Sequence, residues 1–144
     1  MTILEKDELS RFLMDFAGTF LQDKPALAAN YCVVPNIIIG EQNKRVLNSK
    51  KELENFFMGF SEVLAMQGIT SFLPIINQIL RLSDSLYFTN IRWRLMDCHN
   101  EVIITWAASY TLQKTEDGQL MIIVTVVDDD HQQLKTMLPT ELRL

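Results

Sequence analysis

The sequence predicts an α+β fold in which helices come first and a mainly antiparallel sheet follows. Three observations carry this reading. Apolar residues recur at spacings of three and four over residues 5–22 and 50–67, the period of an amphipathic helix. From Leu86 to Met96 and from Val102 to Lys114 the period is two, with only the polar break DCHNE between these segments. The turn TEDG then leads directly into the apolar run Leu120 to Val127. Strands joined by such short loops run antiparallel.

The first helix is expected from Glu5 to Gln22, with Leu9, Phe12, Leu13, Phe16, Phe20 and Leu21 on one face. Thr2 and Glu5 have capping-box spacing. Gly18 weakens this helix by about 1 kcal/mol relative to Ala. Asp23-Lys24-Pro25 restarts the chain, with Asp as N-cap and Pro in the first turn of a short alanine-rich helix, Pro25 to Tyr31. Pro35 ends that segment. Ile37 to Ile39 reads as a strand, 40–44 as a polar turn, and Arg45-Val46-Leu47 as the hairpin partner. Ser49 and Glu52 form a capping box that opens a helix from Lys50 to Gln67. Its buried stripe is Leu53, Phe56, Phe57, Phe60, Val63 and Leu64, and Gly68 is placed to end it. Phe72 to Leu82 is strand-like, and Pro74 near its start marks a sheet edge or a bulge. Ser83-Asp84-Ser85 is a turn before the two long strands. Asp128-Asp129-Asp130 stops the last strand, and His131 to Met137 is a final helical turn before Pro139. No repeat, linker or low-complexity tract divides the chain, so one domain over residues 1–144 is expected.

Composition narrows the function classes. A chain of 144 residues, 48% hydrophobic, has enough apolar side chains for a core without metal or disulfide support. The net charge of −5 argues against nucleic acid as a partner, because phosphate binding needs a basic footprint. Lys44-Arg45 and Lys50-Lys51 read as a solvated turn and a first helical turn. Cys32 and Cys98 lack CxxC spacing and read as two reduced thiols of a cytoplasmic protein. The start MTILEKDELS lacks the apolar core of a signal peptide, and no apolar run reaches the roughly 18 residues of a membrane span. There is no GxGxxG, GxxxxGKS, HExxH or GxSxG motif, so neither cofactor nor metal is expected.

The faces of the long strands point to a pocket. Tyr87, Thr89, Ile91, Trp93 and Leu95 share one face of the first, and Val102, Ile104, Trp106, Ala108, Tyr110 and Leu112 one face of the second. These sets hold the large aromatics and are expected to face the helices. Tyr31, Trp93, Trp106 and Tyr110 each carry a polar tip that wants a partner when buried. Asn77 and Asn36 are candidates to join them. An apolar space with a few convergent polar groups suits a small molecule. The opposite faces are mixed, and LMIIVTVV is apolar on both sides. Such a second face is commonly covered by another subunit, so a homodimer through the sheet is expected.

Candidates for catalysis are sparse. His99 lies in the polar turn Asp97 to Asn100, a hairpin tip that does not aim Cys98 at its neighbour's imidazole. Asp128 to Asp130 beside His131 reads as a solvated strand end and helix cap rather than a cation site. Arg92 and Arg94 share a strand face and are expected to pair with surface acids rather than to bind a carboxylate ligand together.

The order helix, short helix, short hairpin, capped helix and four long strands resembles the NTF2-like superfamily, with its SnoaL-like and ketosteroid-isomerase-like members. The residues that carry the resemblance are Ile91-Arg92-Trp93-Arg94-Leu95, the stretch Trp106 to Leu112, and Lys114 to Gly118 leading into Met121-Ile122-Ile123. Phe20 to Asp23 before Tyr31 fits as well. The resemblance covers about residues 5 to 130. It implies a cone in which N-terminal helices pack in the concave face of a strongly bent, mainly antiparallel sheet, enclosing a pocket. It does not imply one activity, because members range from isomerases and dehydratases to binding modules.

Three departures matter. Pro35-Asn36 stands where isomerase-type members carry an acidic base, and Asn cannot accept a proton at neutral pH. Arg92 and Arg94 lack the flanking Asp of epoxide-hydrolase-type members. Both histidines fall at strand ends, whereas dehydratase-type members place one in the pocket. The expected function is therefore a small dimeric protein that binds an apolar or aromatic molecule in the cone through Tyr31, Trp93, Trp106, Tyr110 and Asn77. Alternatives are an isomerase, cyclase or dehydratase using Tyr31, Tyr110 or Asp128, and a protein–protein interaction module. Neither membrane nor nucleic acid is an expected partner.

Overall fold

Two amphipathic helices supply rings, and one sheet supplies the wall they pack on. The structure, a computed structural model, describes residues 4–22 and 24–144. Helix α1, Lys6–Leu21, buries Leu9, Leu13, Phe16 and Ala17. Leu21, expected on that face, is exposed because it lies on the last turn. The proposed caps Thr2 and Asp23 lie outside the described residues. The segment Pro25–Tyr31 is a 3₁₀ helix rather than an α-helix. Its seven residues bury Ala28 and Ala29 and run straight into a strand.

Strand β1, Cys32–Ile39, starts earlier than expected and carries Pro35 inside it, after a cis Val34–Pro35 bond. Proline is tolerated there because the ladder to the neighbouring strand is irregular between Cys32 and Ile37. Strand β2, Lys44–Leu47, returns antiparallel to β1 as a hairpin. Helix α2, Lys50–Met66, is capped by the Ser49 hydroxyl, which accepts from the Glu52 N–H. The Glu52 carboxylate accepts from the Asn48 N–H, one residue before the partner of an ideal capping box. At its other end Gly68 takes φ +74°, its N–H bonds Ala65 O, and the Ile69 N–H reaches Leu64 O. That is a Schellman stop.

Strands β3 (Ser71–Arg81), β4 (Leu86–Met96), β5 (Val102–Lys114) and β6 (Leu120–Asp128) form the antiparallel run. Strand β1 pairs parallel to β6, which joins the hairpin to the run. The six-stranded mixed sheet has the order β2-β1-β6-β5-β4-β3, placing Pro74 on an edge strand. The helices pack on one face, against Tyr87, Ile91, Trp93, Leu95, Ile104, Trp106 and Leu112. Val102, assigned to the same face, is exposed, because Ile103 is an extra residue between the pairs Leu95–Ile104 and Met96–Val102.

A second bulge explains the two-sided apolarity of LMIIVTVV. Thr111 pairs with Val124 and Leu112 with Ile122, so Ile123 is extra. Leu120 and Ile122 point inward before it, and Val127 points inward after it. Helix α3, Gln133–Met137, follows β6, and a short 3₁₀ turn, Thr140–Leu142, leads to residue 144. No helix among the described residues is long and apolar enough to cross a membrane.

Candidate functional site

Between the helices and the sheet lies a cavity of about 70 Å³. Helix α1 contributes Phe16 and Phe20, and α2 contributes Phe56, Phe57 and Phe60. The 3.6-residue period that makes these helices amphipathic also aims their rings at one space. The sheet contributes Phe72, Trp93, Trp106 and Tyr110. The rings meet mostly edge to face at centroid distances of 5.5 to 6.1 Å, while Phe20 and Phe72 lie parallel at 6.3 Å. Such geometry suits the aromatic quadrupole and fixes the walls. Leu144, Ile38 and Thr125 complete the rim.

Three of the five residues expected in the site are there. Trp93 and Tyr110 are bonded to each other: the indole N–H donates to the phenol oxygen at 2.8 Å, with both groups buried. The Tyr110 hydroxyl proton has no acceptor among the described residues. Burial raises the Tyr110 pKa above its usual value, against the opposing bond from Trp93 and with a small upward push from Cys32. Burial likewise pushes the Cys32 thiol up to about 12. Both groups are therefore neutral at physiological pH, and the thiol is no ready nucleophile. Trp106, the cross-strand partner of Trp93, packs edge-on against Phe60.

The other two lie elsewhere. Tyr31 packs edge-on against Phe12 and Phe16 and faces an open depression between α1 and the 3₁₀ helix. Asn77 is the extra residue of a β3 bulge, exposed on the far side of the sheet, where it donates to Asn90 Oδ1. Alternation from the buried Phe72 and Pro74 already points it away from the helices. Asn36 is buried, yet its amide donates to Val33 O and to Ile122 O at 2.9 Å, bridging β1 to β6. It is a structural link rather than a cavity group.

The remaining polar candidates fall outside the cavity. Asp97 accepts from the Glu101 and His99 N–H groups, which hold its carboxyl below the usual range and shape the hairpin tip. Asp129 caps α3 by accepting from Leu134 and Lys135. Arg92 pairs with Asp130 at 2.5 Å and lowers its pKa, the surface pairing expected of it. Asp128 is exposed. Among the described residues no cluster of His, Cys, Asp and Glu could hold a metal ion. The sequence reading missed the phenylalanines as cavity walls, although their stripes were legible. It also missed Leu144, for which no local signal exists.

Comparison with known proteins agrees with this architecture. Residues 6–130 match the family described as NTF2-like protein (DUF6841), and the chain belongs to that family. An NTF-2 like protein of unknown function from Shewanella oneidensis MR-1 superposes with a TM-score of 0.67 at 16% identity, covering 88% of this chain and 100% of that one. A domain of unknown function with a cystatin-like fold from Nostoc punctiforme gives 0.68 at 12% identity, covering 98% and 91%. A ketosteroid isomerase-like protein from Erwinia carotovora atroseptica gives 0.59 at 10% identity, covering 86% and 96%. These likenesses concern the fold. No curated protein matches the sequence.

Proposed function

We propose that this chain binds a small apolar or aromatic molecule in the cone. The observation that carries this reading is the aromatic-walled cavity with one buried hydroxyl, Tyr110, whose own proton has no partner among the described residues. A space of about 70 Å³ is far below the size of a drug-sized site, so the ligand is small or displaces a side chain. Binding is favoured over proton transfer because no side-chain carboxylate or imidazole lines the cavity among the described residues, and its two ionisable side chains, Cys32 and Tyr110, are neutral.

Acetophenone, a ring with one acceptor, tests the reading. Both tryptophans of the chain line the cavity, so their emission reports occupancy. A saturable change in emission with a rise in melting temperature is expected. Titration without saturation sinks it.

A second reading concerns the outer face of the sheet and is favoured by the register. Val46, Ile37, Val124, Thr111, Phe88 and Leu80 lie side by side in one uncharged row across all six strands. A nearby row carries both signs, Asp128 and Arg92 flanking Ala107. Such a face is self-complementary, and its occupant is a second copy of the chain related by a two-fold axis.

A further inference from the structure

The segment 139–144 reaches back across the cone mouth, and what holds it there is informative. The Arg45 guanidinium donates through Nη2 to Glu141 O and, at 3.1 Å, to Arg143 O. Asn43 Nδ2 donates to Arg143 O at 2.6 Å. Leu142 rests against Gly59, where a methyl group would sit 3.3 Å from its Cδ1. The next residue after Arg143, Leu144, is part of the cavity wall, and its backbone lies where any side chain at Gly40 would go. One arginine and one amide thus grip carbonyl oxygens while a branched apolar side chain enters the aromatic space.

Arg45 is not satisfied by this arrangement. Its Nε is buried without a hydrogen-bond partner among the described residues. No carboxylate pairs with it among the described residues; the ion pairs there involve Arg81, Arg92, Lys114 and His131. The guanidinium carries a full charge and a planar set of donors, yet among the described residues its hydrogen bonds go to neutral carbonyls. A carboxylate would use that fork better. The arginine is also tied to the cavity itself: its Cζ lies 5.4 Å from the centroid of Phe56, a wall residue, and Arg45 pairs across the hairpin with Ile38, another.

We propose that Arg45 and the aromatic cavity together form a site for a small amphipathic carboxylate, ring or branched chain in the cone and acid on Arg45, and that residues 139–144 occupy this site in competition with it. The inference rests on the reading of the cone as a binding cavity and adds the class of its ligand. Size supports it. Withdrawing one leucine side chain from an apolar wall opens space on the order of 150 Å³, enough for a benzene-sized ring. The segment is held by main-chain carbonyls and two leucines, and its departure leaves the Arg45 guanidinium to the incoming carboxylate.

The test compares 3-phenylpropionate with 3-phenyl-1-propanol, which differ only in the head group, using tryptophan emission. The proteins are the full chain, a chain lacking residues 139–144, and Arg45→Met in that shortened chain. Gly40→Val, which displaces the segment by overlap, replaces the deletion should the shortened chain not fold. The shortened chain is expected to bind the acid about tenfold or more tightly than the alcohol, the scale of one charge-assisted hydrogen bond. Arg45→Met is expected to abolish that preference while keeping alcohol binding. The full chain is expected to bind both probes more weakly than the shortened one. Equal affinity for acid and alcohol, or a preference that survives Arg45→Met, overturns the acid site and leaves the cavity reading intact. Equal affinities in full and shortened chains overturn the competition. Failure of both probes in every protein removes the cavity reading and this inference together.

Discussion

Asn36 shows how far a single residue can be read. Its place after Pro35 was legible, and so was its inability to act as a base at neutral pH. What it does was not legible, because its partner Ile122 lies 86 residues away. The amide bridges the irregular stretch of β1 to the bulged strand β6. Asn36→Ala leaves the Ile122 carbonyl buried without this donor. Chemical denaturation is expected to show a loss of about 2 kcal/mol. An unchanged midpoint would mean that water or backbone replaces the amide. Asn77 makes the same point in reverse. It was a candidate for the pocket by residue type, but alternation from the buried Phe72 and Pro74 places it on the outer face, beside the bulge between Ile76 and Gln78.

Elements whose ends are written in local chemistry were the most legible. Helix α2 begins at the Ser49 cap and stops at Gly68, both visible as residue types at fixed offsets. Ser49→Ala is expected to cost about 1 kcal/mol, seen as a lower melting temperature with the cavity unchanged. No shift would show that the Glu52–Asn48 contact alone fixes the helix start. Strands β4 and β5 matched their alternating segments because one face meets the helices and the other does not. Strand β6 defied alternation because its bulge reverses the faces midway. The 3₁₀ segment and the early start of β1 were hidden, since alanine and proline composition fits either helix type.

At the scale of the molecule, the parallel pairing of β1 with β6 turns a hairpin and a meander into one sheet. That pairing also aligns the uncharged row on the outer face. Should a second copy cover this row, Phe88→Lys would bury a charge within it. Light scattering is expected to give the mass of two chains for the parent and of one for the variant. A parent that already has the mass of one chain at micromolar concentration would remove the dimer reading. The grip of Arg45 on Arg143, 98 residues apart, belongs to this scale as well, since only the closed fold brings the cone mouth and that segment together.

The sequence by itself determined the class of fold, the two caps of α2, the strand boundaries of β4 and β5, and the aromatic side that faces inward. It could do so because periodicity and capping are local, set by residues three or four positions apart or by alternate ones. Tertiary structure alone decided which tips meet, that Trp93 bonds Tyr110, that Tyr31 stands away from the cavity, and that Leu144 enters it. Bulges, strand order and long-range closure settle those matters, and none of them has a signature in neighbouring residues.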